Sequence, residues 1–165
     1  MPQSSDWEHS SGLILQGLCE AIRWDYGEIW RVQEDPNLLC LSPTWHLSPS
    51  VISGSSRQSW QQFRACSLEF TLHLGEGLPG RVYESRQPEW VVDVSIQSEG
   101  YFLRHHIAKA FSVRAGLGLP LLVGNQVRAV LVFFKSKSCP EDRELMTGLQ
   151  TMLEQIEPLF QTTEN

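Results

Sequence analysis

The sequence contains no run of about eighteen apolar residues, so no segment has the length and apolarity of a bilayer-spanning helix. Its first residues, Met1-Pro2-Gln3-Ser4-Ser5-Asp6, lack the basic and apolar regions of a secretory signal. The expected location is therefore the cytoplasm. Positive charge is short: 13 Lys and Arg stand against 19 Asp and Glu, a net charge of −6. That balance argues against nucleic acid, whose phosphates need a clustered positive field, and against anionic membranes. Cysteine is sparse. Cys19, Cys40, Cys66 and Cys139 form no CxxC and no zinc framework, and free thiols are expected, some of them buried as small hydrophobes. Catalytic signatures are missing as well: there is no GxSxG, no HExxH and no paired-carboxylate spacing. The expectation is a chain that catalyses nothing, with no catalytic residue and no metal.

What is present suits one globular domain. With 165 residues, 41% hydrophobic and 19% charged, the chain can bury a core without disulfides or metals. Residues 1–8 are polar and expected to be mobile, and 9–163 form the domain. Leu15, Leu18, Cys19 and Ile22 recur at helical spacing over about 9–24, with Asp25 and Gly27 as a stop. Residues 28–32 and 38–41 read as a hairpin around Asp35-Pro36-Asn37. Residues 42–67 read as a serine-rich loop, interrupted by a short helix near Trp60. A weak strand at 70–74, a helix near 79–86, a short strand at 90–92 and a helix over about 100–110 follow. Strands 113–123 and 127–135 turn at Gly124-Asn125, and Pro120 marks an edge, a bulge or an early end to the ladder. A last helix runs from Pro140 to about Phe160, loosened by Pro158. Hairpins at both ends predict a mainly antiparallel sheet in an α+β chain, and not a doubly wound α/β fold.

Two patterns carry possible function. Gly75-x-Gly77-x-x-Gly80 formally matches a dinucleotide fingerprint, but the strand before it is short and half polar, Pro79 sits inside it, and Glu76 would face the pyrophosphate. A turn leading into a helix explains it better. In the last helix Leu145, Leu149, Met152, Ile156 and Leu159 step by fours and threes, the spacing of a helical seam. Met146, Leu153 and Phe160 make a second stripe. One stripe can cover the sheet; the other pairs either with the first helix or with a second subunit.

Several strings, in order, resemble the GAF domain, a signalling module. They are Gly77-Leu78-Pro79-Gly80-Arg81-Val82, Gln87-Pro88-Glu89-Trp90-Val91-Val92-Asp93-Val94, Val113 to Leu121, Ala129 to Phe134, and Pro140-Glu141-Asp142. The match covers about residues 10–160 and is nearest in flavour to the GAF domains of bacterial and cyanobacterial histidine kinases. The resemblance implies a central sheet flanked by helices on both faces, with a small-molecule pocket beside one of them; the two stripes on the last helix suggest a helical-bundle homodimer. By that analogy and by side-chain chemistry the pocket residues are Trp90, Asp93, Tyr101, Phe102, Arg104, His105, His106 and Arg114. Arg104 or Arg114 would meet an anionic group, and the aromatics would hold a ring.

The same resemblance implies limits. Bilin-type relatives attach a chromophore to a cysteine near position 103, and methionine sulfoxide reductases of this family need cysteines around 80–110. This chain has none between Cys66 and Cys139. The cofactor is left unknown. The leading expectation is a sensory module that binds a small molecule, forms a homodimer and meets a signalling protein partner. The alternatives are a ligand-free interaction or dimerisation module and a non-covalent haem or bilin binder. For His105 and His106, beside Arg104 and Lys109, a solvated helix face stands as the plainer reading.

Overall fold

The computed structural model describes residues 2–51 and 54–163, with side chains over 6–51 and 56–158. Helix α1 spans Pro2–Ile22, and strands β1 (Tyr26–Val32) and β2 (Leu38–Leu47) form the first hairpin. Helix α2 (Gly54–Ser67), strand β3 (Thr71–His73), helix α3 (Gly77–Ser85), strand β4 (Glu89–Val91), a 3-10 turn at Val94–Ile96 and helix α4 (His105–Ala110) follow. Strands β5 (Ala115–Val123) and β6 (Gln126–Lys135) and helix α5 (Arg143–Thr163) complete the chain. The strands make one six-stranded sheet in the order β3-β2-β1-β6-β5-β4, antiparallel at every pairing. The predicted α+β architecture is therefore present.

The period-two alternation of the strands divides the core into two layers. On one face Ile29, Leu117, Leu119, Leu131 and Phe133 pack against Leu15, Leu18 and Cys19 of α1 and Leu149 and Leu153 of α5. On the other, Tyr26, Trp30, Val130, Val132 and Phe134 pack against Phe63 of α2, Val82 of α3 and Ala108 of α4. At the β5–β6 turn Gly124 and Asn125 both take positive φ, 58° and 71°, as a tight two-residue hairpin requires. Pro120 pairs with Val130 on β6, while β4 ends its pairing with β5 at Gly118. The proline thus sits where the outer side of β5 is open, and its missing N–H breaks no ladder bond there.

Three expectations change. The first helix, expected from about residue 9, starts at Pro2, with Trp7 buried under the Arg31 guanidinium and Glu8 paired with Arg31 at 3.1 Å. The serine-rich stretch after Leu41 is not a loop at its start. β2 continues to Leu47 through a register shift opposite Glu28 and Trp30, which absorbs Pro43. The helix near Trp60 is longer than expected, running through Ser67. In α5 the seam residues mostly turn inward: Leu149 is buried, and Leu145 and Ile156 pack on the α1 layer, whereas Met152 is exposed. Leu159 has its side chain outside the described residues. Among the described residues no helix is long and apolar enough to cross a membrane.

A half-buried histidine and a buried thiol give stability a pH window. Desolvation lowers His46, partly offset by Glu20 at 3.7 Å, so the unfolded chain binds the extra proton and stability falls as pH drops below 6.5. Burial, with Asp25 and Glu20 adding to it, pushes the Cys19 thiol up to about 12 from 9.0. The folded state then holds its proton longer than the unfolded chain, and stability falls as pH rises past 9.0. Urea unfolding between about pH 5 and 11 should give a plateau flanked by two declines. His46→Asn should flatten the acid side, and an unchanged acid limb in that variant would remove His46 as its cause.

Candidate functional site

The polar centre of the molecule lies inside the layer under α2 and α4. Alternation along β1 sends Tyr26, Glu28 and Trp30 to the same face, so a carboxylate stands between two aromatic rings on a central strand. Glu28 is fully buried. Its Oε2 accepts from the Tyr26 hydroxyl at 2.8 Å, and its Oε1 accepts from Trp30 Nε1 at 2.9 Å. Oε1 also accepts from Arg104 Nη2 at 2.6 Å, forming a buried ion pair. Arg104 precedes α4, and its Nη1 donates to Ser67 Oγ at 3.0 Å; Ser67 in turn donates to the Phe63 carbonyl at 2.8 Å. Four rings surround the guanidinium, those of Trp30, Phe63, Phe134 and Phe102, with centroids 5.0 to 5.5 Å away. Tyr26 stacks on Trp60 at 5.2 Å.

A second buried arginine belongs to this layer. Arg64, on α2, is only 6% exposed. Its Nη2 donates to the Ser42 carbonyl of β2, and its carbon lies 5.7 Å from the Trp45 ring. Its Nη1 is buried and has no hydrogen-bond partner among the described residues. Burial, with the Glu28 charge behind it, holds the Tyr26 hydroxyl well above its ordinary range, while Arg64 and Arg104 pull the other way. Tyr26 is thus a fixed proton donor to Glu28. An open hollow of about 410 Å³ adjoins the aromatic cluster at Trp60, with Asp25, Ser59, Ser112 and Phe111 in its wall.

The expected pocket residues are dispersed. Phe102 and Arg104 are in the buried centre. Trp90 is on the other face of the sheet, edge-on to Trp24 at 5.2 Å, with its Nε1 donating to the Cys139 carbonyl at 2.8 Å. The short β4 presents Val91 to the α4 side, and its neighbour Trp90 consequently points away. Asp93 caps the 3-10 turn, accepting from Ser95 N at 2.9 Å and Ser95 Oγ at 2.6 Å. Tyr101 is exposed, beneath Arg81 at 4.0 Å and donating to Glu89 at 3.0 Å. Arg114 donates to the Val113 carbonyl at 3.0 Å. His105 and His106 lie ring to ring at 3.8 Å, and His106 is exposed. Gly75 and Gly77 take φ of 82° and 62°, and a Cβ on Gly80 would stand 2.5 Å from the His73 carbonyl, so this glycine run forms a close turn into α3.

Tyr26, Glu28, Trp30, Arg64 and Ser67 were not among the expected site residues. For Glu28 a signal existed: an acid on the inward register of an otherwise apolar strand is uncommon unless it is paired. Arg64, inside a polar amphipathic helix, carried no comparable mark. Among the described residues no group of His, Cys, Asp and Glu could hold a metal ion.

One antiparallel sheet with two helices on one face and a polar, helix-covered centre on the other defines a small α+β domain. The GAF domain profile matches residues 5–160, and the chain belongs to that family. It is similar to Protein NLP3 of Arabidopsis thaliana, 30% identical over 152 residues, which cover 91% of this chain but only 18% of that protein's length. In structure it is similar to the GAF domain region of a putative membrane protein from Geobacter sulfurreducens PCA, at a TM-score of 0.68, 14% identity and coverage of 96% and 95% of the two chains. It is also similar to free methionine-R-sulfoxide reductase from Neisseria meningitidis, at a TM-score of 0.62 and 16% identity, covering 89% of this chain and 73% of that one. This last likeness corrects the expectation of a domain that catalyses nothing. The fold is shared with an enzyme, so missing catalytic motifs do not exclude catalysis.

Proposed function

We propose that this GAF domain is a cytoplasmic sensory module of signal transduction that binds a small molecule between the β1 face and helices α2 and α4. The observation that supports this most is the Glu28–Arg104 pair. It ties a central strand to the segment entering α4, inside an aromatic box, and it leaves a charged group for a ligand to compete for. A buried ion pair stabilises little against apolar residues of similar volume, so its presence here is better explained by use than by stability. Glu28 and Ile29 are adjacent on β1 and point to opposite layers. A shift of β1 at the site therefore reaches α1 directly and α5 through α1, and these helices would carry the state to a second copy or to a signalling partner. Among the described residues, Leu13 and Met152 are the large exposed apolar side chains on those helices.

A second reading, docking or dimerisation without a ligand, is favoured by the packing itself, since Phe63, Phe102, Phe134 and Arg104 fill the space under the sheet. Native mass spectrometry of the protein purified from its own cells separates the two. The expected result is a dimer carrying one small molecule per chain. A bare protein that also shows no saturable binding across a metabolite library would overturn the sensor reading and leave docking.

A further inference from the structure

We propose that Arg64 is the receptor for one compact monoanion, a carboxylate in the first instance; the inference rests on the sensor reading above. The argument begins with the charge inventory. Among the described residues the buried charged side chains are Glu28, Arg64 and Arg104. Two buried guanidiniums thus share this layer with one buried carboxylate, which pairs with Arg104, and the buried side chains carry one positive charge in excess. Both oxygens of Glu28 are committed elsewhere, Oε1 to Trp30 and Arg104 and Oε2 to Tyr26. The uncompensated charge is therefore at Arg64.

Its hydrogen bonding leads to the same place. The Ser42 carbonyl satisfies Nη2, whereas Nη1 is out of reach of solvent with no acceptor. A buried cation with an unmet donor is costly on both counts. An anionic oxygen at Nη1 would remove both costs in one contact. A neutral ligand could supply an acceptor but would leave the charge; a cation would add to the repulsion. A dianion would turn the excess from one positive to one negative charge in a region that stays dry, so a single charge fits best. Arginine presents a planar fork, and two coplanar carboxylate oxygens match such a fork. Trp45 over the guanidinium supplies a reporter.

Binding of sodium formate, acetate and oxalate to the whole chain tests this, by calorimetry and by tryptophan fluorescence. We expect saturable one-to-one binding of formate or acetate, with oxalate at least about ten-fold weaker at matched ionic strength. Arg64→Gln should weaken the monoanion by about ten-fold or more, and Arg64→Lys, which keeps the charge and loses the fork, should fall between. If Arg64→Gln does not fold, the order of monoanion against dianion on the wild type still decides. Absence of saturable binding, a preference for oxalate, or unchanged binding in a folded Arg64→Gln protein would each overturn the proposal. A neutral or cationic molecule recovered on the purified protein would sink this inference and leave the sensor reading standing.

Discussion

Glu28→Ala is expected to destabilise the domain by about 3–5 kcal/mol in urea unfolding, since it strands a buried guanidinium. The neighbourhood sharpens this. Removing Glu28 leaves Arg64 and Arg104 with no buried carboxylate in their layer, whereas Arg104→Met leaves Glu28 with its Tyr26 and Trp30 donors. The carboxylate should therefore be the costlier partner to lose, although the two are joined by the same 2.6 Å contact. Tyr26 and Trp30 add to the difference, because each donates to Glu28 and would lose its buried acceptor. The double variant Glu28→Leu/Arg104→Met should recover most of the loss, as buried pairs exchanged for apolar residues generally do. A loss below about 1 kcal/mol for Glu28→Ala would mean that water reaches this pair and that its burial is not functional.

Phe134→Ala is expected to cost about 3–5 kcal/mol, the range for deleting a fully buried aromatic ring. Phe134 is at the centre of the site layer, edge-on to Phe63 at 5.4 Å and to Phe102 at 5.9 Å, and it forms one wall of the Arg104 box. Its loss should be strongly non-additive with Arg104→Met, because the two side chains touch and share partners. With Leu149→Ala, across the sheet, it should add simply. Coupling of Phe134 to Leu149 as large as that to Arg104 would show that the two layers form one cooperative core.

The fold was largely legible because its signals are local. The alternation in 115–123 and 126–135, the Gly124-Asn125 turn and the helical repeat from Leu15 to Ile22 each specify an element within a few residues. What failed was decided at long range. Trp7 is helical and buried because Arg31, 24 residues on, covers it. The far end of β2 depends on Tyr26, Gly27 and Glu28 as partners, which no window around Pro43 contains. The site was read less well for the same reason. Phe102 and Arg104 were found from their string, but the carboxylate that Arg104 meets is 76 positions away, and the register of β1 alone points it inward. Trp90 shows the converse: in a three-residue strand one step of register moves an aromatic from one face to the other.

The sheet's ends govern how two copies can meet. β3 and β4, its outermost strands, are each three residues long. Beyond Gly118 the bare flank of β5 is interrupted by Pro120, which offers no donor to an incoming chain. A neighbouring molecule seeking to extend the sheet finds too short a template at either margin and an interrupted one beside it. Polymerisation by strand addition is thereby discouraged, and the helical faces are left as the broader surfaces the sheet's margins do not guard.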